Sequence, residues 1–234
     1  MDDLTIIYYT GNRIDNKLFR STQEVLIQAA GIYPIISVTQ KPMKLGYNIC
    51  LGDIGYSYIN IYKQMLIGAK EAKTKFVAIA EDDTLYCPHH FNRFRPPADT
   101  FGYNMNRWLV YTWTEPPIYS MKKKRFTNAV LIAPRELLIE ALEERFAKYP
   151  KESEIPIKLW SEFGKYEKDL GVKVLKTIDF ATPVSVIQFT HPDCINFEYQ
   201  GTKKKLGDIR AYDIPYWGRA EDLMEKYYKE NNET

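Results

Sequence analysis

The chain is poor in cysteine. Its three, Cys50, Cys87 and Cys194, are odd in number and widely spaced, so they form no CxxC pair and no disulfide framework. They suit a reducing compartment, and a cytoplasmic protein is expected. Charge of one sign is missing too. The sequence carries 32 basic and 30 acidic residues, a net +2, which excludes a strongly basic nucleic-acid coater and an acidic disordered tail. No run approaches the ~18 apolar residues of a membrane-spanning helix. Met1-Asp2-Asp3 is acidic and leads straight into an apolar run, so no signal peptide is expected. Linkers, repeats and low-complexity segments are absent. So are GxxxxGK(S/T), GxGxxG, HExxH and GxSxG, which weakens P-loop, Rossmann-dinucleotide, zincin and serine-hydrolase readings. What remains is a 234-residue chain with enough apolar residues for one sizeable core.

Apolar runs and turn signals alternate regularly in the first third. Leu4–Tyr9 is β-rich without a polar break and reads as a buried strand, ended by Thr10-Gly11-Asn12. A helix is predicted over Leu18–Ala30, closed by Gly31, and a second buried strand over Pro34–Val38. Thr39 to Gly55 is rich in Gly, Pro and Asn and reads as a loop. Ser57 is placed to cap a helix reaching about Ala72, with Ile61, Met65 and Ala69 at helical spacing. Phe76–Ala80 is a third strand. This alternation predicts an α/β protein with a mostly parallel central sheet flanked by helices, and ligands in such sheets sit at the carboxyl ends of the strands.

The second half is more mixed. Strands are predicted at Trp108–Trp113, Ala129–Ile132, Val172–Leu175 and Val184–Phe189. Pro134 is placed as the first residue of a helix with Leu137, Leu138, Ala141, Leu142 and Phe146 on one face. A further helix is expected over Ile157–Leu170, stopping at Gly171, and a polar one from Arg219 to about Asn231. Gly201–Gly207 reads as a mobile loop.

The strongest chemical signal is Glu81-Asp82-Asp83 directly after a buried strand. Three successive acids at a buried strand end repel one another, and a divalent cation offsets that cost. Hard oxygen ligands suit Mg²⁺ or Mn²⁺. Residues 81 and 83 of an extended chain point to one side, so both can face one ion or its bound phosphates. The competing reading is a solvated acidic turn, or a cap on the segment from Pro88. Cys87, His89 and His90 suggest zinc only superficially, for they lack a fourth ligand at useful spacing.

The succession of Leu4–Asn12, the helix from Ser57 and Phe76–Asp83 resembles the nucleotide-sugar-binding half of GT-A fold glycosyltransferases, closest to their family-2-like branch. These enzymes carry a "DxD" acidic motif at this place, which here stands as Glu81-Asp82-Asp83. The resemblance continues through Asn128–Leu138, similar to the family's acceptor-side strand and helix, and spans roughly residues 4–190. It implies a single domain over 1–234, with a donor-binding half over about 1–100 and an acceptor-side half with a C-terminal helix over about 101–234. It implies a metal-dependent transferase that moves a sugar from a nucleotide-diphosphate donor, a UDP-sugar by preference, to a hydroxyl acceptor.

Site roles follow from the same resemblance. Asp83 would bind the metal, with His191 joining it, while Glu81 and Asp82 would contact the donor. Glu81 stands where the family has Asp. Glu162 is the nearest match to the family's catalytic base and favours inversion, although the family commonly shows Glu-Asp where this chain has Glu162-Phe163. Glu167 and Asp169 compete for that role, and a surface acid is the plain alternative. Thr10 and Asn12 would meet the nucleobase and ribose, Asp53 would add a second such contact, and Lys63 or Gln64 would face the diphosphate. Each is otherwise an ordinary loop or helix residue.

Lys122–Arg125 and Lys203–Lys205, with Arg210, are local basic clusters in a near-neutral chain. Solvated loop charge is the default reading. A phosphate-rich acceptor, DNA with a hydroxylated base or a glycan, is the functional one. Tyr212–Trp217 (YDIPYW) is aromatic enough to stack on a sugar ring or an extruded base. Two other readings stand beside the transferase: a sugar-phosphate nucleotidyltransferase, for which Tyr8–Arg13 is a poor signature, and a non-catalytic nucleic-acid- or glycan-binding module.

Overall fold

In the computed structural model the described residues are 3–14, 17–123, 127–192 and 206–229. The apolar runs become the central strands of a seven-stranded sheet. β1 (Leu4–Thr10) is buried along its whole length. It pairs in parallel with β2 (Ile35–Thr39) on one side and β4 (Phe76–Glu81) on the other. β3 (Tyr47–Cys50) lies parallel outside β2. Beyond β4 comes β9 (Leu131–Pro134), antiparallel to both neighbours, then β6 (Thr100–Asn104), and β10 (Lys176–Phe180) parallel to β6. The order is therefore β10-β6-β9-β4-β1-β2-β3, a mixed α/β arrangement with a mostly parallel sheet, as the alternation predicted.

Helices cover this sheet because their apolar faces have nowhere else to go. α2 (Tyr58–Glu71) starts at Ser57, whose hydroxyl accepts the amides of Ile59 and Asn60, the predicted cap. It packs so closely on β1 that a Cβ on Gly68 would stand 2.5 Å from Ile7 Cγ2. α1 (Lys17–Ala30) and α4 (Arg135–Lys148) complete the layers. The main core joins Ile6, Ile7, Met65, Val77, Ile79, Leu138 and Trp160, among others.

A second sheet has the order β12-β8-β7-β11-β5: β5 (Thr84–Leu85), β7 (Arg107–Tyr111), β8 (Tyr119–Met121), β11 (Val186–Thr190) and β12 (Ile209–Ala211). It covers a smaller core of Leu18, Val110, Ile187, Phe189 and Leu223, closed by α6 (Ala220–Tyr227) and the β13–β14 hairpin (Asp213–Ile214, Gly218–Arg219). β5 follows β4 after two residues and pairs with β11, placing Gln188 opposite Thr84. That pairing carries the second sheet to the acidic end of the first.

Several elements differ from expectation. The loop from Thr39 to Gly55 contains β3. β6, β8 and the short α3 (Pro88–Asn92) were not anticipated. The strand at Ala129–Ile132 divides into a 3₁₀ turn at Asn128–Val130 and β9. Pro134 is the N-cap of α4 and ends β9, so it stands one residue before the helix. The expected helix over 157–170 shrinks to α5 (Glu167–Leu170). Gly164 breaks it, with φ +93° and no room for a Cβ beside Thr177. The strand expected at Val172–Leu175 begins only at Lys176. The C-terminal helix ends at Tyr227, and the rest of its expected span beyond 229 lies outside the described residues. Most of Gly201–Gly207 also lies outside them. Among the described residues no helix is long and apolar enough to cross a membrane.

Candidate active site

The carboxyl ends of β1 and β4 lie side by side, with Tyr9 opposite Glu81. A cavity of about 540 Å³ opens there, within the roughly 300–1,000 Å³ of small-molecule sites. Glu81, Asp82 and Asp83 line it, held by hydrogen bonds from β1, β5 and β11. The Tyr9 hydroxyl donates to Glu81 Oε1 and the Thr10 hydroxyl to Asp82 Oδ2. Thr84 Oγ1 donates to Asp83 Oδ1 at 2.8 Å. From β11, Gln188 Nε2 donates to Glu81 Oε2 at 2.8 Å and reaches Asp83 Oδ1 at 3.3 Å. Glu81 and Asp83 therefore share a partner in Gln188, although β4 ends at Glu81 and residues 82–83 form a turn, so the extended-chain alternation expected there is not what brings them together. Behind Gln188, Arg107 Nη1 donates to its Oε1 at 2.6 Å.

The electrostatics of these acids are unusual. Burial, added to the charges of Asp83 and Asp82, pushes the Glu81 carboxyl up to about 8, although Tyr9 and Arg107 pull against it. Burial raises Asp82 to about 6, with Asp83 adding to the effect and Thr10 and His191 opposing it. Asp83 is also raised to about 6 by burial, despite Thr84, Gln188 and Arg107. Burial, only partly offset by the surrounding groups, thus makes these carboxyls hold their protons to higher pH than free acids do.

His191 lies just past β11, lines the same cavity and is 1% exposed. Among the described residues no group of three or more His, Cys, Asp or Glu side chains is arranged to hold a metal by itself. Divalent cations that work on phosphates take one or two carboxylates and complete their shell from phosphates and water. The hard oxygens of the strand-end acids, whose ionised form burial disfavours, fit that role.

Glu162 lines the same cavity. Burial works to raise its carboxyl, but the Lys165 ammonium at 2.6 Å and a bond from Ser161 overcome this and hold it below the usual range. Its competitor Glu167 is turned inward, where it forms a buried ion pair with Arg145 at 2.8 Å.

The predicted donor residues separate into two groups. Thr10 and Gln64 line the cavity, and Gln64 Nε2 ties the carbonyls of Thr10 and Val38 across the β1 and β2 ends. Asn12, Asp53 and Lys63 are not among the lining residues. Asn12 Oδ1 accepts the amides of Gln40 and Lys41, Asp53 accepts the Gly55 amide, and Lys63 pairs with Glu152 on the surface. Arg13 and Tyr56 complete the rim, the guanidinium lying 4.5 Å from the ring centre.

Of the basic clusters, Lys122 lines the cavity, while Lys124, Arg125 and Lys203–Lys205 lie outside the described residues. Tyr212 and Tyr216 are exposed, and Trp217 is anchored to the Ser185 carbonyl away from this cavity. Cys87, His89 and His90 form no metal site: buried His90 sits against Asn104 and is lowered to about 3 by burial. Cys50 and Cys87 are free thiols; Cys194 lies outside the described residues.

Tyr9, Arg13, Arg107 and Gln188 were not anticipated. One signal was available for Gln188, the lone amide inside the apolar run Val-Ile-Gln-Phe-Thr.

No family model matches the chain, and no curated protein matches it. Solved structures do. A glycosyltransferase involved in glycosylation of the PBCV-1 major capsid is 10% identical, with a TM-score of 0.47 over 86% of this chain and 98% of its own. The bifunctional IspDF of Campylobacter jejuni is 12% identical with a TM-score of 0.45, over 88% of this chain but only 55% of its own length. A Drosophila β-1,4-galactosyltransferase 7 mutant, in complex with manganese, UDP-Gal and xylobiose, is 12% identical with a TM-score of 0.40, over 89% and 82%. At this level of likeness the functional argument rests on the cavity itself.

Proposed function

We propose that this chain is a metal-dependent glycosyltransferase of GT-A type that transfers a sugar from a nucleotide diphosphate, UDP by preference, to a hydroxyl acceptor with inversion. The observation that carries this reading is the sharing of one cavity by two unlike sets of acids. Glu81, Asp82 and Asp83, raised chiefly by burial, line it together with Glu162, lowered by Lys165.

The first set suits a cation and the diphosphate it carries, with Asp83 and His191 as its protein ligands. Mn²⁺ or Mg²⁺, when bound, would offset the charge that builds on the leaving diphosphate. Thr10, with the β1 loop that Asn12 and Gln64 hold in shape, takes the nucleoside side. Glu162 accepts the proton of the acceptor hydroxyl while that oxygen bonds to the anomeric carbon and the bond to the diphosphate breaks. A base kept deprotonated at neutral pH, with its carboxylate fixed by Lys165, suits that step.

Lys122, Tyr111 and Thr127 border the cavity on the second-sheet side, where the acceptor would enter. The acceptor is a saccharide or a hydroxylated base in DNA, and a single domain with a donor half and an acceptor half would serve both. The near-neutral charge agrees with a cytoplasmic enzyme that draws its acceptor contacts from local loops.

A panel of nucleotide sugars, assayed for hydrolysis and transfer with and without Mn²⁺, tests the reading. Release of UDP that requires Mn²⁺ is expected. Formation of a nucleotide sugar from a nucleoside triphosphate and a sugar phosphate would instead make the protein a nucleotidyltransferase. Binding of glycan or DNA with no turnover of any donor would make it a binding module. Glu162→Gln should keep donor binding and lose about 100-fold or more in transfer; full turnover by that variant would remove the base.

A further inference from the structure

We propose that Arg145 is the positioning residue for Glu162, acting through a buried clamp that closes the loop from Ser161 to Glu167. The inference rests on the reading of Glu162 as the base.

Arg145 belongs to α4, is not among the residues lining the cavity, and its side chain is 1% exposed. Its two forks do different work. Nη1 donates to the Ser161 carbonyl at 2.8 Å, immediately before Glu162. Nη2 donates to Glu167 Oε1 at 2.8 Å, at the loop's other end. The same Glu167 oxygen accepts the Gly164 amide at 2.7 Å, in the middle of the loop. The guanidinium therefore ties the two ends of a seven-residue stretch, and the Glu167 carboxylate it holds ties the middle.

The neighbouring rings leave that guanidinium little freedom. Its central carbon lies 4.4 Å from the Phe163 ring centre and 5.7 Å from that of Trp160, both rings being fully buried. Tyr103 donates to the Phe163 carbonyl at 2.9 Å, on the other side of Glu162. Thus the backbone is fixed on both sides of residue 162. Between these fixed points the Glu162 side chain meets Lys165 and lines the cavity.

A buried ion pair adds little net stability over an apolar substitute, so stability alone is a poor account of this one. What a planar fork supplies and an apolar residue does not is a fixed relation among several backbone groups. Displacing a reacting group by about 1 Å costs roughly 100-fold in rate.

The test compares Arg145→Lys, which keeps the charge and loses the fork, with Glu162→Gln and the parent. Steady-state kinetics use the UDP-sugar that the parent turns over fastest, with Mn²⁺. Carbon-13 NMR follows the Glu162 carboxyl titration in the chain alone. In Arg145→Lys, kcat should fall roughly 100-fold, the donor KM should hold within about twofold, and the carboxyl titration should move up toward the ordinary range as the Lys165 contact loosens. Unchanged kcat and titration, with Glu162→Gln inactive, overturn the positioning role and leave the base in place. An active Glu162→Gln removes both. A loss that falls equally on KM and on UDP–Mn²⁺ binding makes Arg145 a general stabiliser and also overturns the proposal. If Arg145→Lys does not fold, Glu167→Gln, which keeps the oxygen that meets Gly164 and Arg145, is held to the same criteria.

Discussion

The three acids at the end of β4 and Glu162 line one cavity, and their carboxyls are displaced in opposite directions. At the end of β4, Glu81, Asp82 and Asp83 receive hydrogen bonds from Tyr9, Thr10, Thr84 and Gln188, all neutral donors. The charges of Arg107 and His191 reach them but do not return them to the ordinary range. Glu162, by contrast, pairs with Lys165, and Glu167, buried away from the cavity, pairs with Arg145. An acid neutralised by a cation of its own chain is complete as it stands. The strand-end acids, buried among mostly neutral donors, hold their protons to higher pH, and a divalent cation would displace those protons and stabilise the ionised form.

The sharpest way to break this comparison is to unpair the complete group. Glu167→Ala leaves a buried guanidinium without its partner and should cost about 3–5 kcal/mol of unfolding free energy, measured by urea denaturation. A cost below about 1 kcal/mol would mean that the pair is not what holds the loop. Removing a waiting acid should act the other way. Asp83→Ala should leave stability unchanged or improved, since it relieves repulsion, while cutting Mn²⁺-dependent transfer by roughly 1,000-fold, as several kcal/mol of charge stabilisation are lost. Retained activity would end the metal assignment.

The pH dependence follows from the same contrast. The unfolded chain releases the three strand-end protons near pH 4, whereas the native carboxyls hold theirs to about 6 and 8. The native state therefore binds more protons across this window, and its stability falls as pH rises through it. UDP with Mn²⁺ should flatten the fall, which thermal melts from pH 5 to 8 would detect. His90 has the opposite sign. Its imidazole is lowered from 6.5 to about 3, so the unfolded chain takes up a proton that the native state refuses, and stability falls as pH drops below 6.5.

The smallest effect is expected at Lys63. Its pair with Glu152 is half exposed, so Lys63→Ala should change stability by no more than about 1 kcal/mol and leave UDP–Mn²⁺ affinity unaltered. A large loss of affinity would bring Lys63 back to the diphosphate.

The legible elements were those with a strong local period. β1 and β4 are uninterrupted apolar runs, α2 has a cap at Ser57 and a helical stripe, and α4 has Leu137, Leu138, Ala141 and Leu142 on one face. The missed strands carry weaker patterns. β3 reads Tyr-Asn-Ile-Cys at a sheet edge and β6 contains Gly102, so neighbours decide their pairing. Trp160 and Phe163, three residues apart and fully buried, imitate a helical face. They are drawn inward separately by Arg145, and Gly164 turns the chain between them and α5.

Sequence by itself determined that three acids would end a buried strand, because run length, alternation and charge are local properties. It also determined that the sheet would be mostly parallel and covered by helices. Tertiary structure decided which groups would meet those acids. Gln188 stands 107 positions from Glu81 in the chain and reaches it only because β5 pairs with β11. Glu162 and Glu167 are alike as residues, yet Arg145 on α4 draws one inward and leaves the other to the cavity. Burial and the nearest charge set the state of a carboxyl, and both are fixed only when distant segments pack together.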